Sequence, residues 1–217
     1  MALPVRNEEF EVKSRLYEIF GLEANDIQDV IMQGLYARKA CTPNHPRTYA
    51  GYSQWADTVR ALRDKTSPKG WTSSEDNNFS LCIHPSTNLV IVVQTGDKET
   101  GFSARNPSNK APKGTNTEQA IWANQKQLLL FDKLPEISLD EGHDKRIMWV
   151  LLYHVTPSEI RFELSLPSKI VGGKIRSWQE RLVFPAIVLD QIDIEIGDDD
   201  DGNDNRQEFE INIERKI

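Results

Sequence analysis

The residues best suited to chemistry lie in one polar segment that has no acidic residue between Gly101 and Thr117. Its three cations, Arg105, Lys110 and Lys113, are interspersed with amide and hydroxyl side chains. The segment runs into a predicted helix, whose first turn offers free backbone N–H groups and a partial positive charge. Lysine-bearing, hydroxyl-rich loops ahead of such a helix are suited to binding anions. The predicted anion or nucleic-acid site comprises Arg105, Asn109, Lys110, Lys113, Thr115 and Thr117.

Other interpretations of these basic residues stay open. The segment lacks the GxxxxGK[ST] spacing of a P-loop, and an ordinary solvated loop has the same composition. A second candidate surface combines aromatic with basic residues, as single-stranded nucleic-acid sites do. Its members are Trp149, Tyr153, Phe162, Trp178, Arg161, Lys169, Lys174, Arg176 and Arg181. Trp149 and Tyr153 fall in a strand predicted to be buried, which favours a core role for both.

Acidic residues near predicted strand ends support an alternative function, a divalent-metal-dependent nuclease with an irregular active site. Asp97 and Lys98 follow an apolar strand, and Glu163 is predicted on the outward face of another strand, with Lys169 nearby in sequence. Such enzymes gather carboxylates and a lysine around the metal. The usual D…(D/E)xK spacing is missing, and charged residues at strand ends commonly face solvent. Convergence of Asp97, Glu163 and a lysine would favour the nuclease.

The acidic run at residues 198–204 partly matches a calcium-binding loop. Asp199, Asp201, Gly202 and Glu208 fit positions 3, 5, 6 and 12 of the EF-hand pattern. Position 1 would be Gly197, and the flanking residues have strand patterns, so we expect a solvated turn that binds no metal. The histidines and the two cysteines show no zinc-like spacing, and we predict no cofactor. No catalytic residue can be named.

The helices that precede these segments follow from apolar periodicity. A first helix is predicted over residues 8–20, with Gly21 as its stop. A second begins at a cap on Asn25 or Asp26. A third covers residues 52–65 and is capped by Ser53. Residues 66–78, rich in Ser, Thr, Asn, Pro and Gly, are predicted to be a loop.

Strand patterns dominate the rest of the chain. Two hairpins are predicted, one from residues 79–84 and 88–95 and the other from residues 147–155 and 160–166, with a short strand at 181–184. Phe162, Leu164 and Leu166 are predicted to face inward, whereas Arg161, Glu163 and Ser165 face solvent. Residues 96–116 are irregular and residues 117–131 helical. Residues 192–196 and 209–213 alternate as a C-terminal acidic hairpin.

This order of elements predicts an α+β fold with N-terminal helices, followed by a mostly antiparallel or mixed sheet. One helix packs on the sheet, and the acidic hairpin ends the chain. We expect a single domain over residues 1–217, with a helical part at about 7–66 and a sheet-rich part at about 79–217. The 217 residues suffice for one independent core.

Charge and hydropathy limit the classes of function. The net charge is −7, but residues 188–217 hold 11 acidic and 3 basic residues, so the remainder carries about +1. No apolar run suits a membrane span, and the first residues do not resemble a secretory signal. We therefore predict a non-enzymatic cytoplasmic binding or accessory protein of a larger assembly. Its partner would be a protein or a nucleic acid reached through the basic loop, and not a membrane.

Overall fold

The computed structural model describes residues 4–76, 79–84, 86–114, 117–118, 120–121, 124 and 146–189. The helices in these ranges are α1 (Glu9–Phe20), α2 (Ala24–Lys39) and α3 (Tyr49–Thr66), followed by a 3-10 turn, Ser67–Lys69. The strands are β1 (Val5–Arg6), β2 (Thr72–Asp76), β3 (Phe79–Ile83), β4 (Leu89–Thr95), β5 (Ile147–Val155), β6 (Glu159–Val171), β7 (Lys174–Val183) and β8 (Ile187–Val188).

The strands form one mixed sheet in the order β1-β7-β6-β5-β4-β3-β2, with β8 also paired to β6. β4 and β5 are parallel, as are β1 and β7, and the other pairs are antiparallel. The predicted α+β class, with helices first and the sheet after them, is confirmed. The predicted acidic hairpin and the calcium-like run at residues 198–204 lie outside the described residues.

Each face of the sheet is covered by a different layer. On the helix face, buried side chains of α1, α2 and α3 form one core with alternate residues of β4, including Ile91 and Val93. On the opposite loop face, Val92 and Val150 belong to one buried cluster with Ile121, which is one of the described helical residues 117–118, 120–121 and 124. The amide of Asn124 donates to Met148 O (2.9 Å) and accepts from Met148 N (2.8 Å), fixing this helix to β5. The described residues of the predicted helix thus pack on the sheet.

The first two helices follow from apolar stripes and local end signals. In α1, Val12, Leu16 and Phe20 are buried, and Gly21 ends the helix with a left-handed φ of 62°. The predicted cap of α2 is wrong by two or three residues. Glu23 is the N-cap, and its backbone N–H donates to the carboxylate of the N3 residue Asp26 (3.1 Å), as in a capping box.

Two further predictions about the elements are wrong. α3 begins at Tyr49 with Thr48 as N-cap, so Ser53 lies inside the helix rather than before it. The predicted loop at residues 66–78 contains β2, which pairs with β3 from Thr72↔Ile83 to Asp76↔Phe79. Pairing with a neighbouring strand overrides the polar composition of this edge strand.

None of the described helices is long and apolar enough to cross a bilayer.

One buried carboxylate joins the start of the chain to β7. Glu180 accepts two hydrogen bonds from Arg15 on α1 (2.8 and 3.0 Å) and one from Arg6 on β1 (3.1 Å). Burial by itself would raise the pKa of Glu180, but these guanidinium hydrogen bonds outweigh it and lower the pKa below its ordinary value. The ion pair therefore stabilises the docking of both N-terminal elements on the sheet.

Candidate functional site

The candidate site is built on residues 96–114, called here the covering loop, which crosses the loop face of the sheet. Gly96 N donates to Tyr153 O at the end of β5 (2.8 Å), and Lys110 N donates to Thr95 O at the end of β4 (2.8 Å). Gly96 and Asn109 form an isolated β-bridge. The loop therefore leaves β4 and returns to the same end of the sheet before the chain continues into the helix.

A buried ion pair between β6 and β7 holds the middle of the covering loop. Arg181 donates to Glu163 at 3.0 and 2.5 Å, and their side chains are 4% and 0% exposed. Gly101 N also donates to Glu163 (3.1 Å), while Arg181 donates to the carbonyls of Phe102 (3.1 Å) and Arg105 (2.6 Å). The charges thus compensate each other and satisfy loop backbone groups, as buried ions require.

The predicted solvent-facing set on β6 is wrong, because the covering loop lies over it. Arg161, Glu163 and Ser165 are all buried. Ser165 Oγ donates to Glu163 Oε1 (2.9 Å), which completes the polar network beneath the loop. The alternation of this strand was recognised correctly, but its second side faces a polar core rather than water.

Asn109, predicted to contact an anion, is fully buried and bonds the loop to the β6–β7 turn. Its amide nitrogen donates to Gly173 O (2.8 Å) and Ala111 O (2.5 Å), and its amide oxygen accepts from Ile175 N (2.9 Å). Gly173 O also accepts from Lys113 N (2.9 Å). These contacts give Asn109 a structural role. The hydrogen bonds described for its side-chain amide are made within the protein, and the side chain does not reach solvent.

Further hydrogen bonds hold the second half of the covering loop alongside β7. Trp178 Nε1 donates to Pro107 O (2.9 Å), and Asn106 Nδ2 donates to Arg176 O (2.9 Å). Lys174 Nζ donates to Asn109 O (2.8 Å) and to Lys110 O. Two basic stretches that are more than 60 residues apart in the chain are thereby brought together.

The resulting cluster of cations is called the basic rim. It consists of Arg105, Lys110, Lys113, Lys174 and Arg176. Arg105, Lys110 and Arg176 are exposed, and the side chain of Arg105 is 65% exposed. Burial lowers the pKa of Lys174, and nearby Arg176 lowers it further while Asp97 opposes the shift. The rim therefore combines one partly buried cation with cations that project into water.

The nearby carboxylates have other partners. Asp97 accepts from the backbone of Glu99 (3.1 Å) and Ser108 (3.0 Å). Glu118 accepts from Gly173 N (2.9 Å), and Glu99 lies 3.5 Å from Arg105 in a loose, exposed ion pair. Such an exposed pair contributes little and yields to a competing anion. Asp97 and Glu118 are thus used by backbone groups, and Glu99 is the carboxylate that pairs with a rim cation.

The helix start that follows the loop differs from the predicted anion site. Thr117 is buried, and the N–H groups of Thr117 and Glu118 both donate to Gly114 O (3.1 and 3.4 Å). These two donors are therefore used within the chain. Thr115, also predicted to contact an anion, lies outside the described residues. Of the predicted set, Arg105, Lys110 and Lys113 belong to the rim.

The residues named for the alternative nuclease are used in other interactions. Glu163 is paired with Arg181, and Asp97 caps backbone N–H groups of its own loop. Within the described ranges, no group of three or more His, Cys, Asp or Glu residues could hold a metal ion.

The predicted aromatic surface for single-stranded nucleic acid is wrong, because its aromatic members form the core. Trp149 and Tyr153 face the helices, and Phe162 packs on the same side of the sheet. Trp178 is buried on the loop face. Lys174 and Arg176, two basic members of this predicted surface, nevertheless belong to the basic rim. Phe102, in the covering loop, is an exposed aromatic residue. Sequence reasoning overlooked it, although an aromatic residue in a polar loop is a recognisable signal.

A separate groove of about 380 Å³ lies between α2 and α3. Tyr36, His45 and Tyr49 are among its lining residues, and the rings of His45 and Tyr49 stack with centroids 4.7 Å apart. His45 lies in the segment between α2 and α3, and sequence reasoning did not identify the groove.

Comparison with known proteins supplies no relative. No family model, curated protein or solved structure matches this chain. A proposal about function therefore rests on the chemistry of the basic rim, the buried network that holds it and the aromatic ring beside it.

Proposed function

We propose that this chain is a non-enzymatic binding protein that contacts nucleic acid through the basic rim, as an accessory subunit of a larger cytoplasmic assembly. The observation that carries the proposal is the fixed juxtaposition of two basic stretches by the Asn109 and Arg181 hydrogen bonds. Both cysteines are free thiols, which suits a reducing compartment.

The rim has the physical features that a polyanion requires. Its cations belong to one surface whose backbone is already ordered, so binding does not need to order the loop. Each phosphate neutralised by a cation releases counterions, which supplies most of the non-specific affinity for nucleic acid. Exposed cations such as Arg105, Lys110 and Arg176 can turn toward phosphates without breaking the hydrogen bonds that hold the loop.

The proposal is tested by removing three exposed charges from the rim. We expect Arg105→Ala/Lys110→Ala/Arg176→Ala to weaken binding to DNA and RNA at low salt. Each lost phosphate contact should reduce the slope of log affinity against log salt by about 0.7 to 0.9. Fluorescence anisotropy titrations at several salt concentrations measure both quantities.

A matched control removes three lysines from the helix layer, in Lys13→Ala/Lys65→Ala/Lys69→Ala. These residues form ion pairs with surface carboxylates, so their loss changes net charge equally but leaves the rim intact. The control should retain the native salt slope. Failure of the native chain to bind any nucleic acid at low salt would overturn the proposal and favour an acidic protein partner. Equal weakening by both triple variants would show that net charge, not the rim, governs binding.

A further inference from the structure

Phe102 is a large apolar side chain exposed at the edge of the basic rim. It is 45% exposed, although it belongs to a loop that is otherwise bonded to the sheet. Arg105, a member of the rim, follows three residues later and donates its backbone N–H to Phe102 O (3.2 Å). This backbone hydrogen bond joins the residue that carries the ring directly to a residue of the rim.

The backbone of Phe102 is held from several sides. Phe102 N donates to Glu99 O (3.3 Å), and Phe102 O also accepts from the buried Arg181 guanidinium (3.1 Å). The preceding Gly101 has φ +79°, and a Cβ there would lie 2.6 Å from Arg161 Cβ. The loop thus lies directly on β6, in a conformation that favours glycine. The exposure of the ring results from this anchored backbone and not from a free loop end.

Arg161 supports the ring from below. Its guanidinium carbon lies 4.0 Å from the ring centroid, while Arg161 itself is only 7% exposed. Among the described residues, Arg161 Nε makes no hydrogen bond of good geometry, although it lies 3.3 Å from a carboxylate oxygen of Glu159. A cation under one ring face fixes the orientation of the ring by cation–π attraction. The remaining exposed area of Phe102 is then a preoriented aromatic surface.

We infer that Phe102 stacks with an unpaired base, so that the rim binds single-stranded in preference to double-stranded nucleic acid; this inference rests on the proposed function. Base–aromatic stacking requires a base that is free of its duplex neighbours. The rim supplies the phosphate contacts and Phe102 supplies the contact that only a single strand can make. Stacking tolerates any base, so little sequence preference is expected.

The test replaces the ring while leaving every charge in place. Phe102→Ala and Phe102→Leu should each weaken binding to single-stranded DNA and RNA by about 5- to 100-fold. Leucine keeps an apolar side chain but has no aromatic face. Phe102→Trp should bind as tightly as the native chain or more tightly. None of these variants should alter duplex affinity or the salt slope, because no phosphate contact is lost.

An abasic single strand of the same length provides a second measurement that needs no variant. The native chain should bind it as weakly as Phe102→Ala binds the ordinary strand. Thermal melting of each variant verifies that the fold is retained.

The outcomes separate this inference from the proposed function. Unchanged single-strand affinity in Phe102→Ala, together with a reduced salt slope in the triple rim variant, overturns the stacking inference and leaves the rim intact as a site. Native-like binding by Phe102→Leu also overturns it, since an apolar contact would then suffice. If the native chain binds no nucleic acid at all, both proposals fail, and Phe102 becomes a contact for a protein partner.

Discussion

At the scale of single residues, the buried charges of this protein act mainly as connectors between distant segments. Glu163 and Arg181 join β6, β7 and the covering loop, and Glu180 joins β7 to the first helix. Breaking a buried pair by removing one partner is strongly destabilising, because the other charge stays buried alone. Position along the chain gives no hint of these roles, which depend on partners many residues away.

Glu180 should make stability depend on acidity. Its pKa is lower in the folded chain than the ordinary value of about 4.3, so its contribution is complete above that pH and disappears as the pH falls through the folded pKa. We expect Glu180→Gln to reduce the free energy of unfolding by about 1–3 kcal/mol at pH 7. The difference from the native chain should narrow below about pH 4, as measured by urea denaturation across pH.

Glu18→Gln is the matched control for this prediction. Glu18 accepts from the same Arg15, but its side chain is exposed. Its loss should cost less than about 1 kcal/mol at pH 7. A gap between native and Glu180→Gln chains that stays constant down to pH 3 would contradict the assignment of acid sensitivity to Glu180.

At the scale of elements, the contact between α2 and α3 depends on a glycine inside a helix. A Cβ on Gly34 would lie 2.0 Å from Thr58 Oγ1 and 2.7 Å from Gln54 O. Thr58 Oγ1 is itself fixed, since it donates to Gln54 O at 2.7 Å. The two helix backbones therefore approach as closely as they do because no side chain separates them at this point.

We expect Gly34→Ala to destabilise the protein by about 1–3 kcal/mol through overpacking. This occurs even though alanine favours a helix by about 1 kcal/mol over glycine. Gly51→Ala, in the exposed first turn of α3 with no atom within 4 Å of the added Cβ, should instead stabilise by about 0.5–1 kcal/mol. Thermal melting of both variants measures the contrast. Equal stabilisation by both substitutions would show that the interface yields without cost.

Element prediction succeeded where periodicity alone determines the outcome. The apolar stripe of α1 and the continuous apolar run of β4 were recognisable in the sequence, and so was the mixture of helices and strands. The starts of α2 and α3 were missed because Glu23 is not a residue that usually marks a cap and Ser53 is. β2 was missed because cross-strand pairing, not composition, makes it a strand.

Anion binding by the named residues stays a prediction, and the surroundings of these residues could not be read from the sequence for a different physical reason. The cations of the loop were recognisable, but nothing local shows that they lie beside Lys174 and Arg176. Asn109 is of a residue type that often binds ligands. Its side chain instead forms a hydrogen bond with the backbone of a turn 64 residues later in the chain. Local sequence patterns do not show such long-range hydrogen bonds, so the sequence shows the cations of the loop but not the residues that lie beside them.

At the scale of the whole molecule, the sheet is shared by two cores. β4 and β5 contribute alternate side chains to the helix layer and to the loop layer. Ile91 and Trp149 share a core with the helices, whereas Val92 and Val150 share a second core with Ile121 and with Ile170, Ile175 and Trp178 of β6 and β7. Neither layer can separate without exposing one face of the same strands, which should couple their stabilities.

We therefore expect the helical part and the sheet-rich part to unfold in one transition. Leu62→Ala, in the core of the helix layer, should cost about 2–5 kcal/mol. It should lower the opening free energies of α2 and β5 amides equally in native-state hydrogen exchange. Val150→Ala, on the loop face, serves as the reciprocal variant. Exchange of α2 amides at a distinctly lower free energy than β5 amides would indicate two separable units.

The parallel pairing of β1 with β7 has a consequence for folding during synthesis. Arg6 and its partner Glu180 are 174 residues apart, so a ribosome making about 5–20 residues per second needs on the order of ten to thirty seconds between them. During that interval the first strand has no edge to join, and Arg15 on α1 has no buried carboxylate to bind. Arg6 and Arg15 are thus made well before the carboxylate that they bind, and β1 can join the sheet only after β7 has been made.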